Sequence, residues 1–298
     1  MKKFLKIFGA LAGIIILSGG LLAFAIFDGA SNLLDEIHRP VDRESIRDRD
    51  LNLGRDPISI LVLGVDREGA TTGGRSDTMM VVTVNPSDNS TKILSLARDT
   101  RVTLAGRGTV ERLNHAYAWG GPQMAIETVQ NFLNIPIDFY VSLDMEGFGP
   151  MIDAVNGVTV NNDLAFSQDG FHFPLGKQHL SGSEALAFVR MRKQDPQGDF
   201  GRQRRQRMVI EALGQEMVAS GLTRFQHIFD AAEGHLETDF TMGILSRLLL
   251  SYGGAARNIQ QLELRGNSSI IGGSYFQVVP DNQLWEMQTL LRRHLELE

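Results

Sequence analysis

Residues Ile58 to Val65 (ISILVLGV) form a short apolar run, rich in β-branched side chains and free of charge. Such a run suits a strand buried on both faces, since a strand with one wet face would alternate polar and apolar residues. A sheet buried on both faces needs helices on each side. The chain supplies them. Thr78 to Val84 (TMMVVTV) and Thr91 to Leu96 read as further strands. The turn cluster Asn85-Pro86-Ser87-Asp88-Asn89 makes those two an antiparallel hairpin. Phe139 to Leu143, Gly157 to Val160 and a stretch near Tyr275 to Val279 read as strands as well. Pro122 to Leu133 reads as a helix with proline near its first turn. Ser181 and Glu184 predict a capping box for a helix through about Val189. Further helices are expected over Arg202 to Val218, Thr241 to Leu250 and Asn282 to Leu295. The pattern predicts an α/β fold, an α-β-α sandwich with a central mixed β-sheet flanked by helices.

The N-terminus sets an expectation about location. Lys2, Lys3 and Lys6 precede an uncharged run from Ile7 to Phe27. As a helix these residues would span roughly 31 Å, about the thickness of a bilayer's hydrocarbon core. Lysines before such a run stay on the cytoplasmic side. The expected layout is therefore a cytoplasmic tail (1–6), one transmembrane helix (7–27), a polar juxtamembrane linker (28–56) and an extracytoplasmic domain (57–298), held at the cell membrane. A cleavable signal peptide is the rival reading, with Ala23-Phe24-Ala25 as its A-x-A site. The chain has no cysteine, which excludes disulfides, thiolate zinc sites and a cysteine nucleophile. A formal charge of −6 and a pI near 5.7 argue against wholesale nucleic-acid binding.

Within this acidic chain, Arg190 to Arg207 (RMRKQDPQGDFGRQRRQR) concentrates positive charge. Arginine forks match phosphate oxygens, so a phosphorylated ligand is the first candidate, with a solvated helix face as the plain alternative. More charges belong to the strand ends. Asp66 follows the first strand, Arg75 and Asp77 precede the second, and Arg98 and Asp99 follow the third. In an antiparallel hairpin the start of one strand lies beside the end of its partner. Two arginines and three aspartates should thus reach one rim of the sheet, with Asp144 a candidate to join them. Carboxylates can hold Mg²⁺ jointly with phosphate, and arginines can clamp the remaining oxygens. The alternative is a structural salt-bridge network.

Arg202, Gln206, Val209 and Leu213 recur at steps of four, three and four, which places them on one buried helix stripe. A buried arginine there needs a partner, either a ligand phosphate or Asp199. No P-loop, dinucleotide fingerprint, nucleophile elbow or H-E-x-x-H motif occurs. His115 reads as a structural or supporting residue rather than a base, and Tyr117, Trp119, Phe132, Phe139 and Tyr140 as core.

The segments LVLGVDRE, GRSDTMMVVTVNP, LSLARDTRV, LNHAYAWGG, GKQHLSGSEALAFVRMRK and DPQGDFGRQRRQ follow in order across about Ile58 to Ile210. Together they resemble the LytR-CpsA-Psr phosphotransferases of bacterial cell envelopes. The resemblance implies transfer of a phosphate-linked glycopolymer, of wall teichoic acid or capsular polysaccharide type, from an undecaprenyl-pyrophosphate carrier to peptidoglycan. It implies Asp66 and Asp77 as Mg²⁺ (or Mn²⁺) carboxylates and Arg75, Arg98, Arg190, Arg192 and Arg202 as the pyrophosphate clamp. Gln206 is implied as a further contact, and Asp99 and Arg205 as supporting positions. Arg75, Arg98 and Asp99 are the implied catalytic set. Two other readings remain open at this point, a membrane-tethered transcriptional regulator and a hydrolase or binder of polyprenyl pyrophosphates.

Overall fold

The computed structural model of the protein describes residues 37–66, 74–209 and 231–297, apart from positions 43, 45, 199, 253, 256 and 257, together with residues 212, 213 and 216. The expected membrane helix (7–27) lies outside the described residues. Among those described, no helix is long and apolar enough to cross a membrane.

Strands β1 (Ile58–Asp66), β2 (Arg75–Asn85) and β3 (Ser90–Leu96) form an antiparallel meander. The β2–β3 turn closes on the Asn85 side chain, whose Oδ1 accepts from the Ser87 N–H at 2.8 Å. Asn89 sits at φ 51°, a conformation asparagine tolerates. A small hairpin of β4 (Arg101–Thr103) and β5 (Val110–Arg112) follows, then helix α1 (Asn114–Leu133). Helix α1 is longer than the predicted one. It bends at Gly121 (φ 63°), so Pro122 opens a fresh helical segment after an earlier turn.

Strand β6 (Phe139–Asp144) pairs in parallel with β1 and leads into α2 (Met145–Ala154). Strands β7 (Val158–Asn162) and β10 (Gly176–Leu180) form a ribbon, with the hairpin of β8 (Phe166–Gln168) and β9 (Phe171–Phe173) between them in sequence. The predicted capping box is present at the start of α3 (Gly182–Arg190). Residues 200–209 form α4, and residues 212 and 213 are also helical. The rest of the expected Arg202 to Val218 helix falls mostly outside the described residues. After β11 (Leu236–Thr238) and α5 (Met242–Tyr252) come β12 (Ile259–Glu263), the hairpin of β13 (Asn267–Ile271) and β14 (Ser274–Val278), and α6 (Asp281–His294).

The central sheet is mixed, in the order β11-β6-β1-β2-β3-β12. Side chains alternate across it. Ile58, Ile60, Met80, Val82, Val84 and Ile93 face one core, which is completed by Phe148, Ile152, Phe188 and Val209 from α2, α3 and α4. Leu61, Leu63, Val65, Met79, Val81 and Leu94 face the other, completed by Ala125, Ile126 and Val129 of α1 and Leu291 of α6. Burial on both faces is what the apolar run predicts.

The packed body reaches back before Pro57. Ile37 is buried. His38 forms a parallel bridge with Thr238 on the sheet edge, and the Arg39 N–H donates to the Thr238 carbonyl at 2.7 Å. Arg47 pairs with Asp138 through two 2.6 Å bonds, with both side chains buried. Tyr252 donates its hydroxyl to the Asp56 carbonyl. The segment 37–56 is therefore fastened onto the domain.

Candidate functional site

One rim of the sheet collects the ends of β1 and β3 and the start of β2. Asp66 and Arg75 are register partners across β1 and β2. Two residues along β2, Asp77 lies beside the segment that follows β3. The Asp77 Oδ2 accepts from Arg98 Nη1 at 2.7 Å and from Arg202 Nη1 at 3.1 Å. Arg98 Nε lies 3.6 Å from Asp99 Oδ2. Thr78 donates its hydroxyl to Gln206 Oε1 at 2.9 Å. Three segments far apart in sequence thus meet through side chains.

Two glycines make this meeting sterically possible. A Cβ on Gly64 would lie 2.9 Å from the Thr78 Cβ, so the bare backbone lets Thr78 sit close and reach Gln206. A Cβ on Gly201, inside GDFGRQ, would collide with the Asp195 carboxylate. Its absence lets α4 close onto the loop before it. The predicted helix stripe is buried as read: Arg202, Gln206, Val209 and Leu213 are all inside. The partner found for Arg202 is Asp77, while Asp199 lies outside the described residues. Asp77 thus gathers two guanidiniums from distant segments at one rim, an arrangement that suits an anionic ligand.

Arg190, half-buried, ends α3, and exposed Arg192 follows it on the segment leading into α4. Arg75 is exposed at the rim. Arg205, implied as a supporting position, has partners of its own. It lies three residues from Arg202 on the same buried face, 1% exposed, and its guanidinium is directed inward. It pairs with Asp195, donates to the Met191 carbonyl and lies 5.2 Å over the Phe166 ring. Burial pushes the Asp195 carboxyl up, but the Arg205 hydrogen bond, the Gln197 N–H and nearby positive charge outweigh this and hold it below its usual range. These contacts give Arg205 a structural role, since its guanidinium is buried against a carboxylate and a carbonyl. Asp144 also stays out of the cluster. It reaches the same end of the sheet, but its side chain caps α2 through the Glu146 and Gly147 N–H groups and meets His235 Nδ1 at 2.9 Å.

Arg112 was not legible in the sequence, since a three-residue strand carries too little pattern to place it. Its Nη1 lies 3.9 Å from Asp99 Oδ1, and its Nη2 lies 3.1 Å from His115 Nε2. A guanidinium can only donate, so Nε2 accepts and the imidazole proton resides on Nδ1, which faces Glu111 at 3.1 Å. Burial, followed by the Arg112 charge, pushes the His115 pKa below its usual value. His115 thereby supports Arg112, as a neutral imidazole. Tyr117, Phe139 and Tyr140 are core, but Trp119 is 43% exposed, with its ring 4.8 Å from His115 and with Arg107 above it.

For a divalent cation, the rim offers hard oxygen donors. The resemblance assigns a cation to Asp66 and Asp77, which stand on neighbouring strands at this rim, and carboxylate oxygens are the donors Mg²⁺ takes when it is shared with substrate phosphates. Among the described residues no group of three or more His, Asp or Glu side chains is placed to hold a metal. The donor chemistry fits a cation shared with a phosphorylated ligand.

A sequence model of the LytR_cpsA_psr family matches residues 26–293. A relative from Halalkalibacterium halodurans, named polyisoprenyl-teichoic acid–peptidoglycan teichoic acid transferase TagU, is 45% identical over 303 residues, covering 100% of both chains. The crystal structure of an Enterococcus faecalis protein described as a transcriptional regulator (EF0465) aligns with TM-score 0.73 and 40% identity, covering 84% of this chain and 92% of that one. The crystal structure of B. subtilis TagU aligns with TM-score 0.64 and 38% identity, covering 81% of this chain and 97% of that one. This chain belongs to the LytR_cpsA_psr family.

Proposed function

We propose that the protein transfers a teichoic-acid-type glycopolymer from a polyisoprenyl-pyrophosphate carrier to peptidoglycan, and that the rim cluster binds the pyrophosphate. The observation that carries the reading is Asp77 held between Arg98 and Arg202, from segments 104 residues apart (202 − 98). The relative's printed name supplies the donor and acceptor classes.

In the reaction, a hydroxyl oxygen of the acceptor glycan attacks the phosphorus that bears the glycopolymer. The bond from that phosphorus to the bridging oxygen breaks, and polyisoprenyl phosphate leaves. The hydroxyl proton passes to a neighbouring carboxylate. Such transfers are catalysed mainly by positioning and charge neutralisation. Arg98 and Arg202 would hold the non-bridging oxygens, with Asp77 fixing both guanidiniums. Arg75, Arg190 and Arg192 would close the clamp from the rim. Gln206, itself held by Thr78, would orient the same group. Asp66 and Asp77 would hold Mg²⁺ or Mn²⁺, which supplies further neutralisation of phosphate charge.

The anchor expected over residues 7–27 belongs to this reading. A lipid-borne donor is confined to the bilayer surface, and tethering the enzyme there raises its effective concentration. Incubating the full chain with a lipid-linked donor and peptidoglycan should give glycopolymer covalently attached to the wall and free polyisoprenyl phosphate in equal amounts, measured by mass spectrometry. Release of polyisoprenyl phosphate without attachment would identify a hydrolase instead.

A further inference from the structure

The β13–β14 hairpin stands out from the rest of the surface. From Gly266 to Val279 its sequence (GNSSIIGGSYFQVV) holds no charged residue, in a chain that is 21% charged. Gly272 and Gly273, at φ 58° and 79°, make the two-residue turn that positive φ permits. Ile270 is paired with Tyr275 across the ladder, and Ile271 with Ser274. Consecutive strand residues point to opposite faces. Yet Ile270 is 78% exposed and Ile271 43%, with Tyr275 also 43%. Both faces of the tip are therefore in solvent, so it projects clear of the body. Only the base is buried, through Phe276 and Gln277.

That base is joined to the site. The Gln277 N–H donates to the Asp99 carbonyl at 2.9 Å, and Gln277 bridges Thr100. An apolar, uncharged finger is thus rooted on the backbone next to Arg98. We propose that this hairpin tip docks into the lipid bilayer interface and so holds the rim cluster against the membrane that carries the donor. The inference rests on the proposed transferase reading for the lipid donor, and it adds a second membrane contact distinct from the expected N-terminal anchor.

A bilayer interface is the occupant that matches the tip's chemistry. Isoleucines enter the apolar boundary, while a tyrosine with its hydroxyl directed toward Ser268 keeps a polar end at headgroup level. Absence of charge removes the cost of burying ions. Beyond Gln277 the hairpin is a two-stranded sheet, and open strand edges favour the interface over deep insertion. Three to four residues separate the turn from the buried Phe276 and Gln277, so the tip reaches roughly 10–14 Å from the base.

The test uses the absence of cysteine, which makes a single introduced cysteine a unique labelling site. Full-length Ile270→Cys and Ser87→Cys proteins carry a nitroxide label and are reconstituted into vesicles of equimolar phosphatidylglycerol and phosphatidylethanolamine. Ser87 is exposed in the β2–β3 turn, at the end of the sheet away from the rim. Electron paramagnetic resonance then compares collision with oxygen, which partitions into lipid, and with a water-soluble nickel chelate. The expected result is high oxygen and low nickel accessibility at position 270, with the reverse at position 87. Equal nickel accessibility at both positions overturns the inference. So does shielding of position 270 from both reagents, which would mark a protein contact.

A second readout is the Ile270→Asp/Ile271→Asp protein. Its transfer should fall several-fold with donor embedded in vesicles and match the unsubstituted protein with donor dispersed in detergent. An equal loss in both settings contradicts membrane docking. The accessibility measurement needs no activity, so a lipid-buried tip on a chain without transferase activity would sink the functional reading alone.

Discussion

Arg98 Nη1 donates to Asp77 Oδ2 at 2.7 Å, and that oxygen also accepts from Arg202 Nη1. Each side chain keeps some contact with solvent, with 17% of both the Arg98 and the Asp77 side chain exposed. The pair sits at the surface of a rim rather than in the core. Replacing Arg98 with alanine should therefore leave the melting temperature within a few degrees of the parent. Transfer should fall by about 10² to 10³, the scale of removing one preorganised charge-stabilising donor. Thermal unfolding and initial rates on one preparation check both halves.

Arg205 predicts the opposite outcome. It pairs with Asp195 with side-chain exposures of 1% and 2%. Removing one partner strands a buried charge, which costs about 3–5 kcal/mol. Arg205→Ala should lower the urea midpoint strongly, and any activity lost at raised temperature should return when the protein is assayed cold. A stable but inactive Arg205→Ala protein would place this residue in the ligand site.

His294 sets a pH dependence of stability. It is 5% exposed, with Nδ1 at 2.7 Å from the Thr83 hydroxyl and Nε2 at 2.8 Å from the Ser90 hydroxyl. Burial, then the Lys92 charge, pushes its pKa down to about 4 from the usual 6.5. As pH falls through 6.5 the unfolded chain takes the proton first, so the folded state loses stability. The contribution is fully present above pH 6.5, declines down to about pH 4 and is level below that. The slope of urea-unfolding free energy between those values should be shallower in His294→Asn.

The segment before Pro57 should be part of the cooperative unit. Arg47 and Asp138 are 8% and 5% exposed and share two hydrogen bonds. Arg47→Ala removes the guanidinium from a buried carboxylate that keeps its Ser59 hydrogen bonds, at a cost of about 3 kcal/mol. A single unfolding transition at lower denaturant is expected. Two separate transitions would mean that residues 37–56 unfold independently.

Removal of divalent cations tests the two carboxylates. Chelation with EDTA should suppress transfer, and Mg²⁺ or Mn²⁺ should restore it. Asp77→Asn should raise the cation concentration needed for half-restoration, because a neutral oxygen binds a hard cation less well.

Much of the fold was legible because its signals are local. The Ile58 to Val65 run, the asparagine-rich turn and the Ser181–Glu184 box each act within a few residues. The strand-end charges were legible because an antiparallel hairpin forces Asp77 toward Arg98. Arg112 was not, since its placement depends on a three-residue hairpin strand fixed by tertiary packing. The partner of Arg205 was not legible, for a different reason. Periodicity places it on the buried face with Arg202, but cannot say which buried arginine points to the rim and which to Asp195. The first turns of α1 lie before the predicted Pro122 to Leu133 helix, because the chain bends at Gly121 and the helix extends back to Asn114.

The most direct measurement is a double-mutant cycle on transfer rate with Arg98→Ala, Arg202→Ala and the double variant. Two guanidiniums that hold one pyrophosphate with one carboxylate act as a unit, so the double variant should lose little beyond the worse single. Losses that simply multiply, or a near-parental rate for either single variant, would contradict a shared pyrophosphate site at Asp77.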